Sequence, residues 1–159
     1  MKKRMAVLGL VTIAVIALAA IGGTTQSQAS SNSQDFVTGS AMFDVVQAHV
    51  VVSAHSGPAG EDPGGHFSLD QGIGDIQVWA EVTCLTVAGN LAVIGGETVR
   101  SRSGIPAGTG VLQSVQDFGS PGDMDRSQTI VGVPTPVNCA LFAPGFQADR
   151  GNYVVNDAP

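Results

Sequence analysis

The sequence predicts a single all-β domain, an antiparallel β-sandwich or barrel of about 7–9 short strands, behind an N-terminal signal helix. Three observations predict it. Two long segments alternate apolar and polar residues with period two, the signature of half-buried strands. Twenty-one glycines and eight prolines punctuate the chain at short intervals, which suits strands joined by turns. Beyond the first residues, no window of helical length carries an apolar stripe at helical spacing.

The N-terminus comes first. Met1-Lys2-Lys3-Arg4 is a basic cluster, and Met5 to Ile21 holds no charged residue. Small residues, Ser27 and Ala29, then stand at the −3 and −1 positions of a cleavage site. Basic start, apolar middle and small-residue site are the three parts of a secretory signal, here residues 1–29. A retained membrane anchor is the alternative, since the apolar run would rise about 25 Å as a helix. No cysteine lies near Ala29 to accept a lipid. Residues 30–34 read as a flexible lead-in and 35–159 as the β-rich domain, within the size of one domain.

In the domain, Met42 to Ala54 alternates, with Val46, Ala48, Val50, Val52 and Ala54 on one face. Ile76 to Cys84 does the same, with Val78, Ala80, Val82 and Cys84 inward and Trp79 and Glu81 outward. A third strand, Leu91 to Arg100, follows Gly89-Asn90, a dipeptide suited to a type II′ hairpin. Counting back from that turn sets Val82 opposite Glu97 and aims a carboxylate at the core. A bulge at Gly95-Gly96 would return Glu97 to solvent. Weaker strands are expected at Phe67–Leu69, Val111–Gln116, Gln128–Val133 and Tyr153–Asn156. Arg102 to Gly110 reads as a loop. So does Val133 to Val137, whose prolines exclude a central strand.

Two cysteines, Cys84 and Cys139, are most simply one disulfide in an exported chain. Two buried free thiols are the alternative. All thirteen acidic residues lie after Ala29, against four arginines (100, 102, 126 and 150) and no lysine. Such a surface offers nothing to release counterions from nucleic acid and is repelled by anionic membrane. The chain is therefore expected to bind no nucleic acid and, once the signal is cleaved, no membrane.

Several motifs follow one another in a recognisable order. They are Ala54-His55-Ser56-Gly57-Pro58, Gly60-Glu61-Asp62-Pro63 and Gly65-His66; Val82-Thr83-Cys84-Leu85 with Gly89-Asn90 and Ile94-Gly95-Gly96; Asp117-Phe118-Gly119-Ser120-Pro121-Gly122-Asp123; and Gly151-Asn152-Tyr153-Val154-Val155-Asn156-Asp157-Ala158. In this order the chain resembles a group of small secreted bacterial β-rich proteins of unknown function, also found as modules of larger surface proteins. The resemblance spans about Phe36 to Ala158. It implies an all-β fold and an extracytoplasmic home, and it carries no catalytic residues. Where such relatives read Asp-Asn-Gly, this chain has Asp117-Phe118-Gly119.

Three constellations could carry chemistry. Asp117, Asp123 and Asp125 place three carboxylates in one Gly/Pro loop, enough oxygen for a calcium ion though not at EF-hand spacing. The same residues are what an exposed turn prefers. His49 and His55 on one strand would stand about 20 Å apart, too far to share a zinc ion. His55 and His66 bracket a turn and could approach each other, while Glu61 and Asp62 lie between them. Trp79, outward on its strand, could stack on a sugar. No Gly-x-Ser-x-Gly or His-Glu-x-x-His motif occurs. The expectation is a secreted, non-enzymatic binding or cell-envelope module needing no cofactor; an envelope- or polysaccharide-directed hydrolase is the alternative.

Overall fold

The computed structural model describes residues 33–119 and 124–159. The predicted signal helix and the Ala29 cleavage site fall outside them. The described residues form nine strands and no helix: β1 Asp35–Phe43, β2 Ala48–Ser56, β3 Gly64–Gln71, β4 Ile76–Ala88, β5 Leu91–Ser101, β6 Gly110–Gln116, β7 Arg126–Val133, β8 Phe146–Gln147 and β9 Arg150–Asn156. They make one antiparallel sheet, in the order β8-β7-β6-β5-β4-β3-β2-β1-β9, curled into a half-barrel. The all-β expectation holds. A sandwich of two sheets does not, because every strand pairs into this one sheet.

Alternation drives the curl. The inward positions of β2, Ala48, Val50, Val52 and Ala54, are all buried, as are Val37 and Ala41 of β1 and Phe67 and Leu69 of β3. Val78, Ala80 and Val82 of β4 and Ala92 and Ile94 of β5 continue the same face. One sheet can hide one face only by folding around it, so its apolar side chains share a single cluster.

The run Met42 to Ala54 is two strands, not one. Asp44–Gln47 is a turn, closed by a hydrogen bond from Gln47 N to Asp44 O (3.2 Å) with Gln47 at φ 49°. It contains no glycine or proline to announce itself.

The Gly89-Asn90 hairpin is present. Ala88 pairs with Leu91, and Gly89 takes a φ of 60° while Asn90 does not take a positive one, the pattern of a type II′ turn. The expected bulge is present too, but its extra residue is Thr83 on β4, facing Gly95-Gly96. Glu97 accordingly pairs with exposed Glu81 on the outer face.

That bulge has a second effect. After Thr83 the parity of β4 reverses, so Leu85 enters the core and Cys84 turns outward. The placement of Cys84 on the core side is thus corrected. Its disulfide to Cys139 forms on the outer face, across a sequence separation of 55. A Cβ on Gly95 would stand 2.5 Å from Cys84 Sγ and 2.8 Å from Cys139 Sγ, so only glycine lets the bridge lie flat on β5. The bridge pins the stretch between β7 and β8 over β5 and β6. Ser114 Oγ donates to Phe142 O there (2.6 Å), and outward-facing Val93 and Ser114 are fully buried.

Candidate functional site

Where the half-barrel's two ends approach, β9 offers backbone N–H groups on the side away from β1. Carboxylates from the β6–β7 connection meet them. Asp125 Oδ2 accepts from Tyr153 N (2.6 Å), and Asp117 Oδ2 accepts from Val155 N (3.0 Å). Their other oxygens accept from Phe118 N (3.0 Å) and Gly119 N (2.6 Å). Asp125 is buried, at 2% exposure. These two aspartates therefore do for β9 what a tenth strand would otherwise do, because buried backbone donors must find an acceptor.

Of the aspartates expected to surround calcium, the structure brings together Asp117 and Asp125. Asp123 lies outside the described residues. No group of three or more His, Cys, Asp or Glu converges as a metal site among the described residues. The seam role predicts equal and small changes in melting temperature with calcium and with magnesium, both by charge screening. A rise specific to calcium would place a cation among these oxygens as well.

The histidines that bracket the Gly/Pro loop stand on neighbouring strands β2 and β3. His55 and His66 are diagonal neighbours on the outer face, His55 opposite Gly64 and His66 opposite both Ser53 and Glu81. Glu61 turns back into its own loop, where Oε2 accepts from Ala59 N (2.8 Å). His49 and Asp62 are exposed. Trp79 is on the outer face, as expected, and Arg100 lies over its ring at 4.1 Å, with Arg102 at 5.8 Å.

The interior holds what the sequence did not single out. A cavity of about 150 Å³ lies between the inner faces of β2 and β3 and the start of β7. Phe43, Val46, Val50 and Leu69 form its apolar wall, and Gln71, Ser127, Gln128 and Thr129 are its polar lining. Phe146 also lines it while 47% exposed, so the cavity reaches the surface there.

A buried polar cluster adjoins Ser127 and Thr129. Gln113 is fully buried; its Nε2 donates to Ser127 Oγ and to Ser114 O (3.2 Å), and its Oε1 accepts from Thr129 Oγ1. Tyr153, opposite Gly39 of β1, is fully buried, and its hydroxyl has no partner in hydrogen-bonding geometry. Burial pushes the phenol far above its usual range; the nearby Ser127 hydroxyl opposes this and the Asp125 carboxylate adds to it.

The sign of that shift is testable. An acid whose folded-state pKa is raised contributes stability that is complete below its unfolded pKa, about 10 for tyrosine. Above pH ~10 the unfolded chain ionises first, so stability should fall by up to about 1.4 kcal/mol per pH unit. Tyr153 is the chain's one tyrosine, so ultraviolet titration reports on it alone. The native protein should resist ionisation until it unfolds, and Tyr153→Phe should flatten the alkaline slope.

The available signal for this site was parity. Val111-Leu112-Gln113-Ser114-Val115 places Gln113 in step with two core valines, and Ser127 and Thr129 stand in step with Val131. Polar residues at inward positions of neighbouring strands mark a buried network.

Cys84 and Cys139 are disulfide-bonded, the state favoured by oxidising compartments. No described helix is long and apolar enough to cross a membrane. No protein-family model, curated protein or solved structure matches this chain.

Proposed function

We propose that this chain is an exported, non-enzymatic binding domain that holds a small molecule inside its half-barrel. One observation carries the reading: a cavity of about 150 Å³ that reaches the surface, with an apolar wall of Phe43, Val46, Val50 and Leu69 and a polar side that includes buried Ser127. Ligand sites are typically concave and mostly apolar, with a few placed polar groups that fix orientation. Export rests on the Ser27-Gln28-Ala29 site behind the apolar run and is compatible with the disulfide. Mass spectrometry of protein from the culture medium should find Ser30 as its first residue. Full-length chain held in the membrane would reverse that.

The binding test is thermal. A compound present at 100 times its Kd stabilises by about 2.7 kcal/mol, a shift of several degrees for a domain this size. Small aromatic and alicyclic compounds should produce it with the mature protein. Ala48→Leu, which places bulk at the cavity wall, should abolish it while the protein still melts cooperatively. Compounds without effect on either protein would end the reading.

A second reading puts a ligand on the outer face at Trp79. Arg100 and Arg102 lie over its ring, and the described ion pairs include neither of them. Trp79 is the one tryptophan, so its fluorescence should respond to an acidic oligosaccharide if that face binds. The hydrolase alternative requires Glu61, Asp62, His55 and His66 to act on one substrate, and turnover of cell-wall polysaccharide by the mature protein would favour it.

A further inference from the structure

We infer that the cavity selects an uncharged molecule of about one ring in size that presents a single acceptor oxygen, such as an alcohol or ketone, to the hydroxyl of Ser127. This rests on the proposed binding function and adds the chemistry of the ligand to it.

Size comes first. A protein cavity of about 150 Å³ lined by aliphatic and aromatic side chains holds one benzene-sized molecule. The wall of Phe43, Val46, Val50 and Leu69 is of that kind, and burial against it favours a compact apolar body.

Polarity follows from hydrogen-bond accounting around Ser127. A serine hydroxyl has one donor and two acceptor lone pairs. Ser127 Oγ already accepts from Gln113 Nε2 and, among the described hydrogen bonds, donates to nothing. Tyr153 brings a second donor, a phenol with no partner, to the same neighbourhood. The Gln113 amide already donates to Ser127 and Ser114 and accepts from Thr129. A donor buried without a partner is costly. The two hydroxyls can share only one hydrogen bond, so one donor is left over, and of the two it is Ser127 that lines the cavity. A ligand oxygen in the cavity completes the chain.

Charge is settled by what surrounds that oxygen. No lysine, arginine or histidine lines the cavity, so a carboxylate would be buried without a counter-ion. The Asp125 carboxylate beside Tyr153 adds repulsion. An ammonium fares no better, since no carboxylate lines the cavity and it too would be buried without a counter-ion. Neutral acceptors remain.

The experiment uses benzyl alcohol, toluene and benzoate as probes of one shape, titrated into the mature protein and followed by amide chemical shifts. Benzyl alcohol and toluene should perturb Val50, Leu69 and Ser127, and benzoate should bind at least about tenfold more weakly than benzyl alcohol. Ser127→Ala should weaken benzyl alcohol by about tenfold and leave toluene unchanged. Tyr153→Phe is the second variant, should Ser127→Ala fail to fold, and should weaken benzyl alcohol alone by a few-fold. Equal losses for both neutral probes, no loss for either, or benzoate binding as tightly as benzyl alcohol would overturn the inference while leaving the cavity a binding site. Absence of shifts with all three would overturn the binding function itself.

Discussion

Replacing both Cys84 and Cys139 with serine is expected to cost about 4 kcal/mol of stability, from the chain entropy released when a loop of this length is opened. The loss should have a local component. Without the bridge nothing covalent holds the stretch between β7 and β8 on the outer face, and Val93 and Ser114 lose their cover. Hydrogen exchange should therefore accelerate at Val93 and Ser114 in the variant well before β2 and β3 open. Urea denaturation gives the size of the effect and exchange gives its place. A loss below about 1 kcal/mol would mean that the cover is held by its own contacts. Thiol titration of the denatured, unreduced wild type should find no free thiol.

Asp125→Ala is expected to cost about 3 kcal/mol. One buried carboxylate satisfies Tyr153 N and Phe118 N, and its own backbone oxygen accepts from Ala148 N (2.8 Å). Truncation leaves the Tyr153 donor buried without an acceptor, and hydrogen bonds to charged groups are worth about 1.5–3 kcal/mol each. Asp125→Asn keeps one oxygen and should lose about half as much. Asp117→Ala should cost less than Asp125→Ala, because its site is only half-buried. Equal effects at the two positions would mean that burial does not govern the seam. Chemical denaturation of the three variants decides it.

Much of the sheet was legible because alternation is a local property. Val50, Val52 and Ala54 declare their face within a few residues, as do Val78, Ala80 and Val82. The hairpin at Gly89-Asn90 was legible for the same reason. Glu97 even announced the bulge, since a carboxylate at an inward position demands a change of register. The position of Cys84 did not follow from that, because a bulge on either strand moves Glu97 outward and only one on β4, at Thr83, turns Cys84 over.

Other features depend on partners remote in sequence. Asp117 and Asp125 read as a polar turn, because their work is defined by Val155 and Tyr153, which lie 38 and 28 residues further on. The Asp44–Gln47 turn lacks glycine and proline, and its flanks both alternate, so β1 and β2 merged into one strand. The interior cluster stayed hidden for a different reason. Gln113, Ser127 and Thr129 each share the parity of apolar neighbours, but only pairing across β6 and β7 shows that they meet.

The carboxylate seam also bears on what happens when many copies of this chain meet. A strand with open N–H and C=O groups is a template on which another chain can add. On β9, two donors that would start such an addition are already occupied by negatively charged groups, which also repel an incoming acidic chain. At the opposite end of the sheet, β8 pairs with only the first two residues of β7, and the rest of that edge carries Gly132 at φ 87° before Pro134. A kinked backbone and a missing N–H make a poor template. Concentrated protein should therefore stay free of fibrils for as long as Asp117 and Asp125 keep their charge and their place.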